Sequence, residues 1–165
     1  MEKLEVIDLE GNLIHGSLQS HFSGLKNLRV LNLGFNQISG EIPNSISQFK
    51  KLQVLNLADN HINGSIPRFL DNFGDLQGLY MSFNELFRNI PIEIGYKGDS
   101  RGRLLLSAPR ATLEDKFLDN WGTCGNLEMV NLAHKLFSGE IYEGLNICKK
   151  LNFLGALNTA MAISS

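Results

Sequence analysis

A chain of 165 residues is long enough to form one modest domain with a buried core. Hydrophobic residues make up 43% of it and charged residues 19%, which excludes disorder caused by poor burial. The formal net charge is −2, with basic residues scattered apart from pairs such as Lys50-Lys51 and Lys149-Lys150, so there is no electrostatic case for nucleic acid or an anionic membrane.

Reading along the chain, self-similarity appears at once. Leu4, Leu28, Leu52 and Leu76 recur every 24 residues, and after a three-residue slip the same position returns at Arg103, Leu127 and Leu151. Counting that residue as the first of each repeat, the fourth reads Ile7, Leu31, Leu55, Leu79, Leu106, Val130 and Leu154. The sixth reads Leu9, Leu33, Leu57, Met81, Ala108 and Leu132. Two residues apart, the fourth and sixth side chains share one face of a strand. One short strand per repeat, stacked on the next, predicts a parallel sheet whose inner face is buried. The eleventh position (Ile14, Ile38, Ile62, Leu86, Leu113, Phe137) and the fifteenth (Leu18, Ile42, Ile66, Ile90, Phe117, Ile141) extend that core. No repeat buries its apolar face alone, so stability depends on neighbours.

Three polar or special positions punctuate each unit. Asn12, Asn36, Asn60 and Asn84 stand at the ninth position, where a buried amide must be paired; they are expected to form a structural Asn ladder. Gly16, Gly40, Gly64 and Gly139 mark a turn that needs positive φ. Pro43, Pro67 and Pro91 begin an outer segment. The motifs Ser39-Gly40-Glu41-Ile42-Pro43 and Asn63-Gly64-Ser65-Ile66-Pro67 resemble the plant-specific class of extracellular leucine-rich repeats. The expected fold is thus an α/β repeat: a right-handed leucine-rich-repeat solenoid of 24-residue units, with a short parallel β-sheet on its concave face.

A closer resemblance rests on two blocks. One runs from Leu4-Glu5-Val6-Ile7-Asp8-Leu9 through Leu28-Arg29-Val30-Leu31-Asn32-Leu33-Gly34-Phe35-Asn36, the other from Pro109-Arg110-Ala111-Thr112-Leu113-Glu114 through Trp121-Gly122-Thr123-Cys124 to Asn131-Leu132. Both are similar to the ectodomain of plant receptor-like protein kinases of the Toadstool type. The resemblance implies a cell-surface receptor whose repeats bind an extracellular peptide or protein, with a co-receptor repeat ectodomain as a further partner, and whose separate cytoplasmic domain is a Ser/Thr kinase. It implies the extracellular side of a plasma membrane as the location. The sequence itself shows no secretion signal, no apolar run long enough to span a bilayer and no kinase motif, so it reads as a fragment of such a receptor. No small-molecule cofactor, metal or nucleic acid is expected.

The repeats divide the chain into four regular units over 4–99, an irregular junction at 100–102, two degenerate units over 103–150, and a partial repeat and tail over 151–165. Lys97 falls where Leu25, Phe49 and Phe73 stand elsewhere, which predicts a local loop. The ladder Asn is lost at Ala111 and Lys135, and the strand pattern is expected to fade from Leu154 to Asn158, with Thr159 to Ser165 fitting no repeat.

Chemistry-bearing residues are few. His15, His21, His61 and His134 fall at four different repeat positions, and the carboxylates are dispersed, so neither a metal cluster nor a hydrolase triad is indicated and no enzyme is expected. Cys124 and Cys148 share a repeat position one unit apart and suit either buried thiols or a disulfide. Asn63-Gly64-Ser65 is a glycosylation sequon.

The remaining candidate is the concave face, where odd-numbered positions and the eighth flank the buried leucines. Asp8, Glu10, Asn32, Phe35, Asn56, Asp59, Tyr80, Ser82, Phe83, Arg110, Asn131 and His134 make up that stripe. Exposed aromatics among polar groups suit a peptide-binding ridge; equally, Phe35 and Phe83 could simply cover the strand–turn edge. Two other readings are a secreted repeat protein that inhibits a foreign enzyme, and a degenerate product without function.

Overall fold

The computed structural model describes residues 3–18 and 24–86 continuously, followed by the backbone of five strands over 104–107, 127–131, 138–140, 153–155 and 160–162. Its main feature is a seven-stranded parallel sheet, one strand per repeat. The strands are β1 (Val6–Asp8), β3 (Val30–Asn32), β5 (Val54–Asn56), β7 (Gly78–Tyr80), β9 (Leu104–Ser107), β10 (Leu127–Asn131) and β12 (Phe153–Gly155), in that spatial order. Each crosses to its parallel neighbour through the rest of the repeat, as parallel pairing requires. The fold is a leucine-rich-repeat solenoid.

Register follows the fourth position throughout. Ile7 pairs with Leu31, Leu31 with Leu55, and Leu55 with Leu79. Across the three-residue slip Leu79 pairs with Leu106, and Val130 joins Leu106 to Leu154. The extra residues are therefore absorbed between strands and leave the sheet in frame.

A second parallel sheet was not anticipated. It joins β2 (His15–Ser17), β4 (Gln37–Glu41), β6 (His61–Gly64) and β8 (Glu85–Leu86). Here His15 pairs with Gln37, Ser39 with His61 and Asn63 with Glu85, an offset of 22 residues rather than the 24 of the first sheet. A shift of two residues keeps every side chain on its own face, whereas a shift of one would invert them. The positive φ expected at the glycine turn is present at Gly16, Gly40 and Gly64, within these strands.

The chain's last segment corrects an expectation. Phe153–Gly155 is a strand, paired to β10, and Ala160–Ala162 (β13) pairs with β11 (Ser138–Glu140). Ser138 faces Ala160, the same 22-residue offset as in the second sheet. Backbone pairing continues there because the ladder needs N–H and C=O groups and a compatible spacing, not the consensus side chains.

Outside the sheets the described repeats carry two short 3-10 helices, Asn44–Gln48 and Arg68–Asn72. Pro43 and Pro67 precede them with extended backbone, at φ −76° and −71°. Five residues between proline and the buried Phe49 or Phe73 leave room for tight turns only, and 3-10 geometry suits such short pieces. Ile46, Leu70, Phe49 and Phe73 close the core from this side, with Phe69 and Phe73 edge to face at 6.2 Å.

The core is continuous from Leu25 to Leu86. Each of its fully buried Leu or Ile side chains contributes roughly 1.5–3 kcal/mol. The first repeat is the exception. Leu4 is 39% exposed and Leu9 43%, where Leu28 and Leu57 at equivalent positions are at 0%. Among the described residues no helix is long and apolar enough to cross a membrane.

Lys97, the junction at 100–102, the substituted ladder positions Ala111 and Lys135, and Cys124 and Cys148 lie outside the described residues.

Candidate functional site

The concave face is laid out by a polar scaffold beneath it. Asn36, Asn60 and Asn84 are buried, as the ladder requires. Asn60 donates its amide to the carbonyls of Leu57 and Ala58 in its own repeat and Leu33 in the preceding one, and its Oδ1 accepts from Ile38 N–H at 2.9 Å. Asn36 and Asn84 repeat that pattern. Each therefore bolts one turn to the one before it. Asn12 is exposed and, among the described residues, bonds the Leu9 and Glu10 carbonyls of its own turn.

A second bracket serves the fifth position. Asp8, Asn32 and Asn56 accept from the N–H two residues on, at Glu10 (3.3 Å), Gly34 (3.3 Å) and Ala58 (3.0 Å). This is the turn chemistry expected of Asp and Asn, and it was legible in their identity, though the concave-face reading did not use it. Asn32 also donates to Glu10 Oε2 at 3.0 Å. Asn32 and Asn56 thus shape the end of each strand, and both are half-buried.

Glycines open the face at two places. A Cβ on Gly34 would meet the Asn56 amide at 2.8 Å, and one on Gly78 would meet the Tyr80 ring at 2.9 Å. Val6, Val30 and Val54 occupy the position of Gly78 in the other repeats. The half-buried Tyr80 ring lies over its own strand because that valine is missing.

At the eighth position the backbone is left-handed in every described repeat: Gly11 at φ 68°, and Phe35, Asp59 and Phe83 each at 54°. Phe35 is 54% and Phe83 52% exposed, and Asp59 is exposed between them. Neither phenylalanine is buried at the strand–turn edge. Ser82 is half-buried beside Phe83.

Of the other candidates, Asn131 ends β10 with its backbone paired to Ser107 and Gly155, while its side chain, Arg110 and His134 lie outside the described residues. The structure thus brings Asn32, Asn56 and Tyr80 to the ends of three successive strands of one sheet, with Phe35, Asp59, Ser82 and Phe83 in the turns just beyond them. Asn63 is exposed on β6, in the second sheet, and His61 Nδ1 lies 3.5 Å from Glu85 Oε1 there.

Comparison with known proteins agrees with this geometry. The sequence profile of the leucine rich repeat family matches residues 2–62. No curated protein sequence matches the chain. Among solved structures it is similar to the plant peptide hormone receptor RGFR1 in complex with RGF2, at 28% identity and a TM-score of 0.79, over 97% of this chain and 25% of that one. It is similar to the Arabidopsis receptor kinase HAESA, solved with the peptide hormone IDA and the co-receptor SERK1, at 27% identity and a TM-score of 0.78, over 98% and 26%. A plant ice-binding protein matches at 26% and 0.78, over 97% and 50%. The chain therefore spans about a quarter of the length of the receptors it resembles.

Proposed function

We propose that this chain is a non-catalytic, peptide- or protein-binding leucine-rich-repeat module of the kind found in plant receptor-like kinase ectodomains, and that its ligand lies along the concave face. The observation that carries the reading is the row Tyr80, Ser82 and Phe83 with Phe35 and Asp59, exposed or half-exposed on a rigid sheet held by the Asn ladder. Aromatic anchors on a preorganised surface bury area at little entropic cost. The structures of RGFR1 with RGF2 and of HAESA with IDA support a peptide as the ligand class and a co-receptor as a further partner. The Toadstool type remains our finer reading, from the two sequence blocks described above, and with it an extracellular setting at the plasma membrane. The same scaffold serves a plant ice-binding protein, so the fold by itself does not define a peptide-binding role and the exposed row does. The Asn63 sequon sits on the second sheet, where a glycan would leave the concave row open.

A random 12-mer peptide library displayed on phage and selected on the full chain tests this. Enriched peptides are expected to lose binding to the Tyr80→Ala, Phe83→Ala double variant by tenfold or more, roughly the effect of removing two aromatic anchors, with its circular-dichroism melt nearly unchanged. Peptides that bind the variant as tightly as the parent would move the site elsewhere.

A further inference from the structure

Concave-face binding alone does not explain what stands at the eighth position. Left-handed backbone is easiest for Gly, and tolerated by Asn and Asp, but is unfavourable for a bulky side chain. Gly11 and Asp59 obey that rule; Phe35 and Phe83 do not, although core burial does not demand them. The backbone holds them firmly. Phe35 N–H donates to Ala58 O at 2.8 Å and Asp59 N–H to Ser82 O at 2.9 Å, while the Asp59 and Phe83 carbonyls accept from Asn36 and Asn60 N–H at 3.1 Å.

Aromatic, carboxylate and aromatic thus follow one another along adjacent turns. Turns stack about 4.8 Å apart, so along the row the Phe35 and Phe83 backbones each stand about 5 Å from that of Asp59, a spacing comparable with the roughly 6 Å reach of a cation–π contact. Asp59 has no ion-pair partner among the described residues. Two turns away, the first repeat carries further negative charge. Glu5, Asp8 and Glu10 are exposed there, and Arg29 of the second repeat lies 3.6 Å from Glu5.

We infer that Phe35, Asp59 and Phe83 form a subsite for the cationic side chain, arginine or lysine, of an extended peptide bound on the concave face. The inference rests on the concave-face reading above and adds to it the chemical class of the ligand. The carboxylate supplies the charge, and the two rings supply a π surface that a neutral ligand would not exploit.

The test uses peptides from the 12-mer selection, resynthesised with arginine replaced by citrulline or lysine by norleucine, and titrated calorimetrically against the parent chain, Asp59→Asn and Phe35→Leu. Asn accepts left-handed backbone as Asp does, so the fold of Asp59→Asn is retained. Selected peptides should carry a basic residue. Neutralising it should cost about tenfold or more in Kd on the parent chain and less than about threefold on Asp59→Asn. Phe35→Leu should weaken the basic peptide more than its neutral analogue. Peptides that depend on Tyr80 but carry no basic residue, or an equal loss on parent and Asp59→Asn, would overturn the cation subsite and leave concave-face binding standing. Failure to select any peptide that depends on Tyr80 would overturn both.

Discussion

Asn60 shows how much a single side chain can hold in a fold of this type. It is 6% exposed, and it bonds four backbone groups from two repeats. Replacing it by Leu removes all four bonds; the Leu33, Leu57 and Ala58 carbonyls keep the Asn36 amide, the Asn84 amide and Phe35 N–H as donors, but the buried Ile38 N–H is left unpaired, at about 1–3 kcal/mol. Asn60→Leu is therefore expected to lower the urea midpoint clearly. Asn12→Leu, which touches an exposed turn and two carbonyls, should move it little. Equal shifts for the two would show that burial of the ladder is not what makes it stabilising. Phe35 makes the converse case. Its left-handed backbone disfavours a bulky side chain by about 1–2 kcal/mol, and Asn fits that conformation better. Phe35→Asn is predicted to raise the melting temperature slightly while weakening peptide binding, a trade expected where strain is kept for function.

At the scale of elements, the strands of the concave sheet were legible because two buried positions two residues apart recur in each repeat, and period two has one structural meaning. The strands of the second sheet were not. His15–Ser17 and His61–Gly64 contain glycine and exposed polar residues, which read as turn. They become strands only because the adjacent turn offers a backbone partner at the two-residue offset. Gly78 is likewise invisible as a functional element until Tyr80 is seen lying over it. We predict that Gly78→Val restores the valine of the other repeats, forces the Tyr80 ring aside, and weakens binding of selected peptides by several-fold without loss of stability. An unchanged Kd would remove Tyr80's resting position from the account of the site.

For the whole molecule the consequence is graded stability along the coil. The first repeat leaves Leu4, Leu9 and Leu13 exposed at 39%, 43% and 77%, whereas Leu31, Leu55 and Leu79 are at 1% or less. Nearest-neighbour packing makes the inner turns the most protected. Amide hydrogen exchange should therefore be fastest at Val6–Asp8 and slowest at Val54–Asn56; uniform protection would contradict this one-dimensional picture.

Legible in the chain alone was the repeat: its length, its buried positions, the Asn ladder from Asn36 to Asn84 (though not the exposure of Asn12) and the frame on both sides of the three-residue slip. Those features recur at fixed spacing, and repetition turns weak local signals into a strong one. Tertiary structure alone decided the second sheet, the pairing of the final strands and the left-handed row of Phe35, Asp59 and Phe83. Each of these depends on which backbone groups an adjacent turn presents. That information lies between repeats in space and in no single stretch of chain.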